Sequence, residues 1–187
     1  MRGRQASSAA LITACSPFEM AGDTRTTPRR ALANICSTVW VICSSVRLRE
    51  HYKDYCSDMT RTFLQKNPKM EEIYEIVKNA NIAAEKAIRP GMKYREIDAV
   101  ARDLISSYGY GQYFTHRLGH GIGLEVHEGY DVSSSDEEIV LEGHCFSIEP
   151  GIYLPDVGGV RIEDLVIVTK DGCKVLNSYS KEADFFE

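Results

Sequence analysis

Two stretches with helical periodicity, followed by short strand-like stretches, constrain the fold of this chain more than any other feature. Residues 69–88 place apolar side chains on one stripe that runs from Ile73 to Ala87. Residues 94–108 repeat the helical period, and Gly109 is expected to end that helix. Strands are predicted at 55–63, 146–149, 151–154 and 160–169, with a hairpin turn at Asp171-Gly172. Helices followed by antiparallel strands indicate an α+β fold.

The composition changes at about residue 50. Residues 1–50 contain seven Arg, no Lys and three acidic residues, so this segment carries a net charge of +4, whereas residues 51–187 carry −9. Within the first segment, only residues 37–46 resemble a buried strand. We therefore divide the chain into an N-terminal segment, residues 1–50, and a patterned part, residues 51–187, which holds the helices and most of the strands.

Charge and cysteine usage exclude several classes of partner. A net charge of −5 and a pI near 5.6 argue against a nucleic-acid surface or an anionic membrane as the partner. No apolar run approaches the roughly 20 residues of a transmembrane helix. The six cysteines are scattered and show no CxxC spacing, as is typical of reduced thiols in a cytoplasmic protein.

Three carboxylates and one histidine stand in surroundings that favour a metal site. Asp58 and Glu163 lie among strand-forming residues, and Glu149 ends an apolar strand. Burying such carboxylates is costly unless a cation or a hydrogen-bond donor meets them. Together with His120 they form an oxygen and imidazole donor set that suits Mn²⁺, Fe²⁺, Co²⁺ or Zn²⁺, and an excess of carboxylates suggests two shared ions. Taken singly, each is more typical of a turn, strand edge or loop, and Arg161 with Glu163 could form a surface ion pair.

Four segments in series carry a family resemblance. They are residues 55–62 (YCSDMTRT), 115–128 (THRLGHGIGLEVHE), 148–153 (IEPGIY) and 158–164 (GGVRIED). In order, spacing and flanking residues they resemble the pita-bread metallopeptidases, which include Xaa-Pro dipeptidase, aminopeptidase P and methionine aminopeptidase. The last two segments resemble the Xaa-Pro branch. The resemblance implies an α+β pita-bread fold of two pseudo-symmetric halves around a dinuclear metal centre, with this chain holding largely the C-terminal half.

The resemblance also implies a role for each matching residue. The implied metal ligands are Asp58, His120, Glu149 and Glu163. Glu149 would also act as general acid and base, while His116 and His127 would take part in catalysis and, with Arg161, bind the substrate. The implied reaction is hydrolysis of short proline-containing peptides by a water that two divalent ions activate. Those ions are expected to be Mn²⁺, with Co²⁺ or Zn²⁺ as alternatives, and a homodimer is expected because relatives are often dimers.

The N-terminal segment departs from the family pattern at two places. The family's first metal ligand is an Asp eleven residues before the second, and Arg47 stands there, where its cation would oppose a dication. A Pro-His-Gly motif lies about eighteen residues earlier in the family, where this chain has Pro28-Arg29-Arg30. Codons for Pro-His-Gly read two nucleotides later can give Pro-Arg-Arg. We therefore hypothesise that part of residues 1–50 is read in a shifted frame, which rejoins the family frame near residues 50–52. The alternatives are true divergence, a disordered stretch or a targeting segment.

Two classes of function remain open from the sequence. The first is a metal-dependent Xaa-Pro exopeptidase whose activity is impaired because one ligand is missing. The second is a non-catalytic pita-bread module that binds peptides or partner proteins, or an inactive truncated peptidase. Four retained ligands favour the enzyme, whereas Arg47 favours the alternatives.

Overall fold

A computed structural model of the chain describes the backbone of residues 43–185 and the side chains of residues 53–185. The hypotheses about a shifted frame, a targeting segment or divergence therefore concern residues that lie mostly outside the described part. The same holds for residues 37–42 of the strand predicted at 37–46. The division of the chain near residue 50 stays a prediction.

The described part contains two α-helices, a short 3₁₀ helix at Gly111–Tyr113 and ten strands, as an α+β fold requires. In chain order the elements are β1 (Cys43–Tyr52), β2 (Tyr55–Leu64), α1 (Pro68–Ala87), α2 (Tyr94–Ser107), β3 (Gly119–His120), β4 (Asp131–Val132), β5 (Cys145–Ile148), β6 (Gly151–Leu154), β7 (Gly158–Arg161), β8 (Asp164–Thr169), β9 (Gly172–Val175) and β10 (Asp184–Phe185). Among the described residues, no helix has both the length and the apolar character that a membrane span requires.

Strands β1 and β2 form an antiparallel hairpin. Its two turn residues, Lys53 and Asp54, have φ angles of 51° and 71°, the left-handed conformation of a type I′ turn. The register pairs Arg49 with Asp58 and Arg47 with Thr60. Strand β10 adds to the other edge of β2 in parallel. The hairpin therefore brings the Arg47 backbone beside the strand that carries Asp58.

Helix α1 begins at a well-formed cap and buries a continuous stripe. The Asn67 side chain accepts hydrogen bonds from the backbone N–H groups of Lys69 and Met70, and Pro68 follows at the first helical position. The buried face carries apolar residues from Met70 to Ala84, but Asn81 and Glu85 on the same face are buried too. Helix α2 packs against α1 through its own apolar stripe. Both predicted helices are confirmed to within a residue at each end.

The second half of the chain folds into short antiparallel pairs around α1. Strand β8 lies between β5 and β9, and β6 pairs with β7. The single strand predicted at 160–169 is wrong, because β7 ends at Arg161 and β8 begins at Asp164. The interruption exists because Glu163 leaves the pairing of both strands and forms a bridge with Thr60 of β2 instead. The predicted hairpin after β8 is present, with Thr169 paired to Gly172 across the turn.

Candidate metal centre

Three buried side chains converge from three separate elements. Asp58 comes from β2, His120 from β3, and Glu163 from the corner between β7 and β8. One ligand atom from each lies within 4.8 Å of the other two, and the three residues are at most 2% exposed. Ligands bound to one ion at about 2.0–2.2 Å lie up to about 4.4 Å apart, so this spacing is close to that of a metal site. The donor set of two carboxylates and an imidazole suits a divalent cation.

The His120 ring is oriented as a metal ligand would be. Its Nδ1 lies 3.1 Å from the Gly121 carbonyl oxygen, which can only accept, so Nδ1 carries a proton. In the neutral imidazole the Nε2 lone pair then faces Glu149 Oε1 at 3.3 Å. A lone pair and a carboxylate oxygen repel each other at this distance unless a proton or a metal cation lies nearby. The geometry around His120 therefore fits a bound cation.

Close packing of β3 against β5 brings His120 beside Glu149. The His120 N–H donates to Ser147 Oγ, and the Glu149 N–H donates to the Leu118 carbonyl. A Cβ atom on Gly119 would lie 1.8 Å from the Ser147 carbonyl oxygen, so only glycine allows this approach. The Ser147 hydroxyl in turn donates to Glu149 Oε1 at 3.1 Å, which fixes the carboxylate next to the cluster.

Glu163 is held by Thr60 through both backbone and side chain. The Glu163 N–H donates to the Thr60 carbonyl at 3.0 Å, and the Thr60 hydroxyl donates to Glu163 Oε2. Thr60 lies two residues after Asp58, and side chains two apart on a strand share one face. One face of β2 therefore supplies one candidate ligand and the group that orients another candidate ligand.

Arg161 links Glu149 to His116 and Tyr153. Its Nη1 lies 3.4 Å from Glu149 Oε2, its Nη2 lies 3.3 Å from His116 Nε2, and its Nε donates to the Tyr153 hydroxyl at 2.7 Å. The surface ion pair considered between Arg161 and Glu163 is thus replaced by a partly buried pair with Glu149. The Arg161 side chain remains one-quarter exposed.

The surroundings of His116 favour its neutral form. Burial, together with the adjacent Arg161 guanidinium, lowers the pKa of the imidazole below its ordinary value. Its Nδ1 lies 2.7 Å from the Arg117 carbonyl oxygen and donates to it, which leaves Nε2 as an acceptor facing Arg161. His127 is exposed, and its ring meets the edge of the His120 ring with centroids 4.1 Å apart.

All seven residues named from the sequence thus lie in one region, although their roles remain predictions. Position 47 lies in the register opposite Thr60, two pairs along from the pair that contains Asp58. Sequence reasoning missed Thr60 and Ser147 as orienting groups. The strand period offered a signal for both, because each lies two residues from a ligand on the same strand face.

Comparison with known proteins identifies the family of the chain. A model of metallopeptidase family M24 matches residues 45–170. An Xaa-Pro dipeptidase of Pyrococcus horikoshii is 50% identical over 133 residues, which cover 70% of this chain and 38% of that protein. The chain thus spans about two-fifths of the length of the curated relatives it matches.

Solved structures give the same result for the fold. A prolidase from Pyrococcus furiosus has a TM-score of 0.73 and 48% identity, covering 74% of this chain and 42% of that one. An Xaa-Pro dipeptidase from Bacillus anthracis has a TM-score of 0.74 and 43% identity, covering 76% and 41% respectively. The predicted pita-bread α+β fold is confirmed by these likenesses. Since the family match extends over well more than half of its residues, the chain belongs to metallopeptidase family M24.

Proposed function

We propose that the chain is a divalent-metal-dependent exopeptidase that hydrolyses Xaa-Pro dipeptides or N-terminal Xaa-Pro bonds. The observation that carries the proposal is the buried cluster of Asp58, His120 and Glu163, with Glu149 3.3 Å from His120. The names of relatives at 43–50% identity, Xaa-Pro dipeptidase and prolidase, support the substrate class. Short proline-containing peptides are the proposed partners.

The proposed ligands for the metal are Asp58, His120, Glu149 and Glu163. Two divalent ions, Mn²⁺ by preference and Co²⁺ or Zn²⁺ as alternatives, would supply a Lewis acid and would acidify a water molecule. The remaining chemistry belongs to the chain. Glu149 is the proposed general base, which takes a proton at its carboxylate and returns it to the leaving amine.

The residues proposed to position the substrate include Arg161 and His116, which lie next to Glu149. The Arg161 side chain is one-quarter exposed, and its guanidinium is proposed to bind the carboxylate at the end of a dipeptide. His116 Nε2 faces Arg161 Nη2 at 3.3 Å, so His116 is proposed to take part in substrate binding by orienting the guanidinium toward the substrate. His127 reaches the cluster from its exposed side, where it can donate to the oxyanion that develops on the scissile carbonyl.

Metal-dependent hydrolysis by the purified chain tests the proposal. We expect Xaa-Pro dipeptides to be cleaved with Mn²⁺ present, EDTA to abolish the cleavage, and added Mn²⁺ to restore it. Product formation can be followed by chromatography of the released proline. If the chain binds Mn²⁺ without cleaving any Xaa-Pro peptide, the non-catalytic binding module that Arg47 favours is the better account. If the chain neither binds Mn²⁺ nor cleaves an Xaa-Pro peptide, the enzyme proposal for this chain is contradicted.

Arg47 stands where the family's first metal ligand would lie, so we propose that the second metal ion is bound weakly. The variant Arg47→Asp tests this directly. The register places residue 47 opposite Thr60, two pairs along from Asp58, so a carboxylate there would add a ligand of the expected type. We expect bound Mn²⁺, measured by elemental analysis after dialysis, to rise toward two ions per chain. Arg49→Asp is the matched control, because it makes the same charge change on β1 directly opposite Asp58. Equal stoichiometry in both variants would show that the ligand position is misplaced.

Cytoplasmic location and homodimer formation, which the sequence and the family resemblance suggest, stay predictions.

A further inference from the structure

A second buried polar layer lies behind the proposed metal ligands and is not part of the chemistry described above. It starts on α1, where Asn81 and Glu85 interrupt an otherwise apolar buried face. Asn81 is fully buried, and Glu85 is 8% exposed. Burial raises the pKa of the Glu85 carboxyl. Polar groups in such a place need partners, and their partners come from the last part of the described chain.

Those partners lie in residues 176–182, which we call the C-terminal strap. Lys181 of the strap donates through Nζ to Asn81 Oδ1 at 2.5 Å and to both Glu85 carboxylate oxygens at 2.7 Å. The same Nζ lies 3.0 Å from Asp164 Oδ2. Asp164 is fully buried and directly follows Glu163. One ammonium thus joins α1 to the residue beside a proposed metal ligand. The strap lies beyond residues 45–170, which the family model matches.

Asn81 carries this connection to two proposed ligands. Its side-chain N–H groups reach the Ile148 carbonyl at 2.9 Å and the Ile162 carbonyl at 3.4 Å. These carbonyls belong to the residues immediately before Glu149 and Glu163. Lys181 fixes the Asn81 oxygen, so the amide nitrogen is oriented toward both carbonyls. The Asn81 amide therefore sets the backbone from which two carboxylates project.

Arg61 forms the other half of the layer. Its side chain is 4% exposed, and its guanidinium donates to the Glu163 carbonyl at 2.7 Å, to Asp164 Oδ1 at 2.7 Å and to the Thr60 carbonyl at 2.9 Å. The two remaining N–H groups donate to strap carbonyls, those of Tyr179 at 2.8 Å and Ser180 at 2.9 Å. All five donors of the guanidinium are used. Arg61 thus joins the strap to the Thr60–Glu163 bridge.

The strap also reaches the third proposed carboxylate ligand. Asn177 Nδ2 lies 3.3 Å from the Asp58 carbonyl oxygen, and Asn177 Oδ1 accepts from the Leu165 N–H at 2.6 Å. Asn177 of the strap therefore contacts the backbone of Asp58 directly. Arg61 links the strap to the Glu163 carbonyl. Lys181 reaches the residue before Glu149 through Asn81.

We propose that the C-terminal strap is a positioning element for the proposed metal centre, in which Lys181 and Asn177 of the strap, together with Arg61 of β2, hold the backbones that carry the three proposed carboxylate ligands. The proposal rests on the proposed metal-binding function. A buried ion pair contributes little net stability compared with apolar packing, so stability alone is a weak reason for this layer. Removing a group that hydrogen-bonds to a metal ligand lowers the affinity for the metal by about 10–100-fold.

Co²⁺ titration of the full chain tests the strap, because Co²⁺ absorption in the visible range reports the number and geometry of its ligands. We expect Lys181→Met to weaken Co²⁺ binding by about 10–100-fold and to change the absorption spectrum at saturation. Lys181→Arg, which keeps the charge, should recover most of the affinity. Asn177→Ala, which removes only the contacts to Asp58 and Leu165, should weaken binding several-fold, and it serves as the test if Lys181→Met does not fold.

Lys78→Met is the matched control. Lys78 lies on α1 and pairs with Glu182 of the strap and with Glu75, but it contacts none of the ligand backbones. We expect its Co²⁺ affinity and spectrum to equal those of the original chain. The proposal is overturned if the Lys181 and Asn177 variants bind Co²⁺ unchanged, or if Lys78→Met loses as much affinity as they do. If the original chain binds no Co²⁺, the proposed function fails, and the strap proposal fails with it.

Discussion

Replacement of Glu163 by Gln is expected to reduce Mn²⁺ affinity by more than about 100-fold, a larger effect than loss of an outer hydrogen bond. Glu163 is fully buried and lies within 4.8 Å of the Asp58 and His120 ligand atoms. Gln keeps the size of the side chain but removes its charge, and in a buried site that charge interacts strongly with a dication. Calorimetric titration with Mn²⁺ measures the loss.

The stability of the metal-free protein separates this effect from unfolding. Asp58, Glu149 and Glu163 crowd negative charge into one buried region. Removal of one charge relieves repulsion in the absence of metal, so Glu163→Gln should melt at a temperature at least as high as the original chain. The Thr60 hydroxyl can still donate to the amide oxygen of Gln. Glu142→Gln, at an exposed position, is the matched control and should leave Mn²⁺ binding unchanged. Normal Mn²⁺ binding by Glu163→Gln would contradict the assignment of Glu163 as a ligand.

The helices could be predicted from the sequence because their signals are local. Asn67 and Pro68 mark the start of α1, and the apolar period decides which face is buried. The same reasoning failed at 160–169. A run of β-branched residues predicts one continuous strand. In the structure the strand is interrupted at Glu163, because this residue pairs with Thr60, 103 residues earlier in the chain. The local sequence pattern around Glu163 contains no signal that predicts pairing with Thr60.

The candidate metal centre shows the same contrast between local signals, which the sequence reveals, and long-range contacts, which it does not. Each proposed ligand stands in a local setting that suggests burial, but the residues alone left Asp58, His120 and Glu163 open to turn, strand-edge or loop roles, and the family resemblance favoured a shared metal site. The layer behind them was missed entirely. Asn81 and Glu85 look like ordinary polar residues of a helix, and their meaning depends on Lys181, about 100 residues away. Long-range polar contacts are decided by the packing of the whole fold, so the periodicity of one segment cannot reveal them.

Replacement of Glu149 by Gln is expected to lower kcat for Xaa-Pro hydrolysis by about 10²–10⁴-fold, which is the usual contribution of a general base. Gln cannot take up a proton at neutral pH, but it fits the same space between Ser147 and Arg161. Glu149 lies beside the cluster of Asp58, His120 and Glu163, so its replacement should weaken Mn²⁺ binding less than Glu163→Gln does. Steady-state kinetics at saturating Mn²⁺ therefore isolates the loss of the base.

Two further measurements decide between a lost base and a damaged site. Glu138→Gln, an exposed glutamate, should keep full activity. KM for the dipeptide should change little in Glu149→Gln, because Arg161 and His116 on the substrate side are retained. If Glu149→Gln kept its kcat, another group would have to move the proton. A rise in KM alone would instead show that Glu149 acts by holding Arg161, with which it pairs at 3.4 Å, and the role of general base would have to be withdrawn.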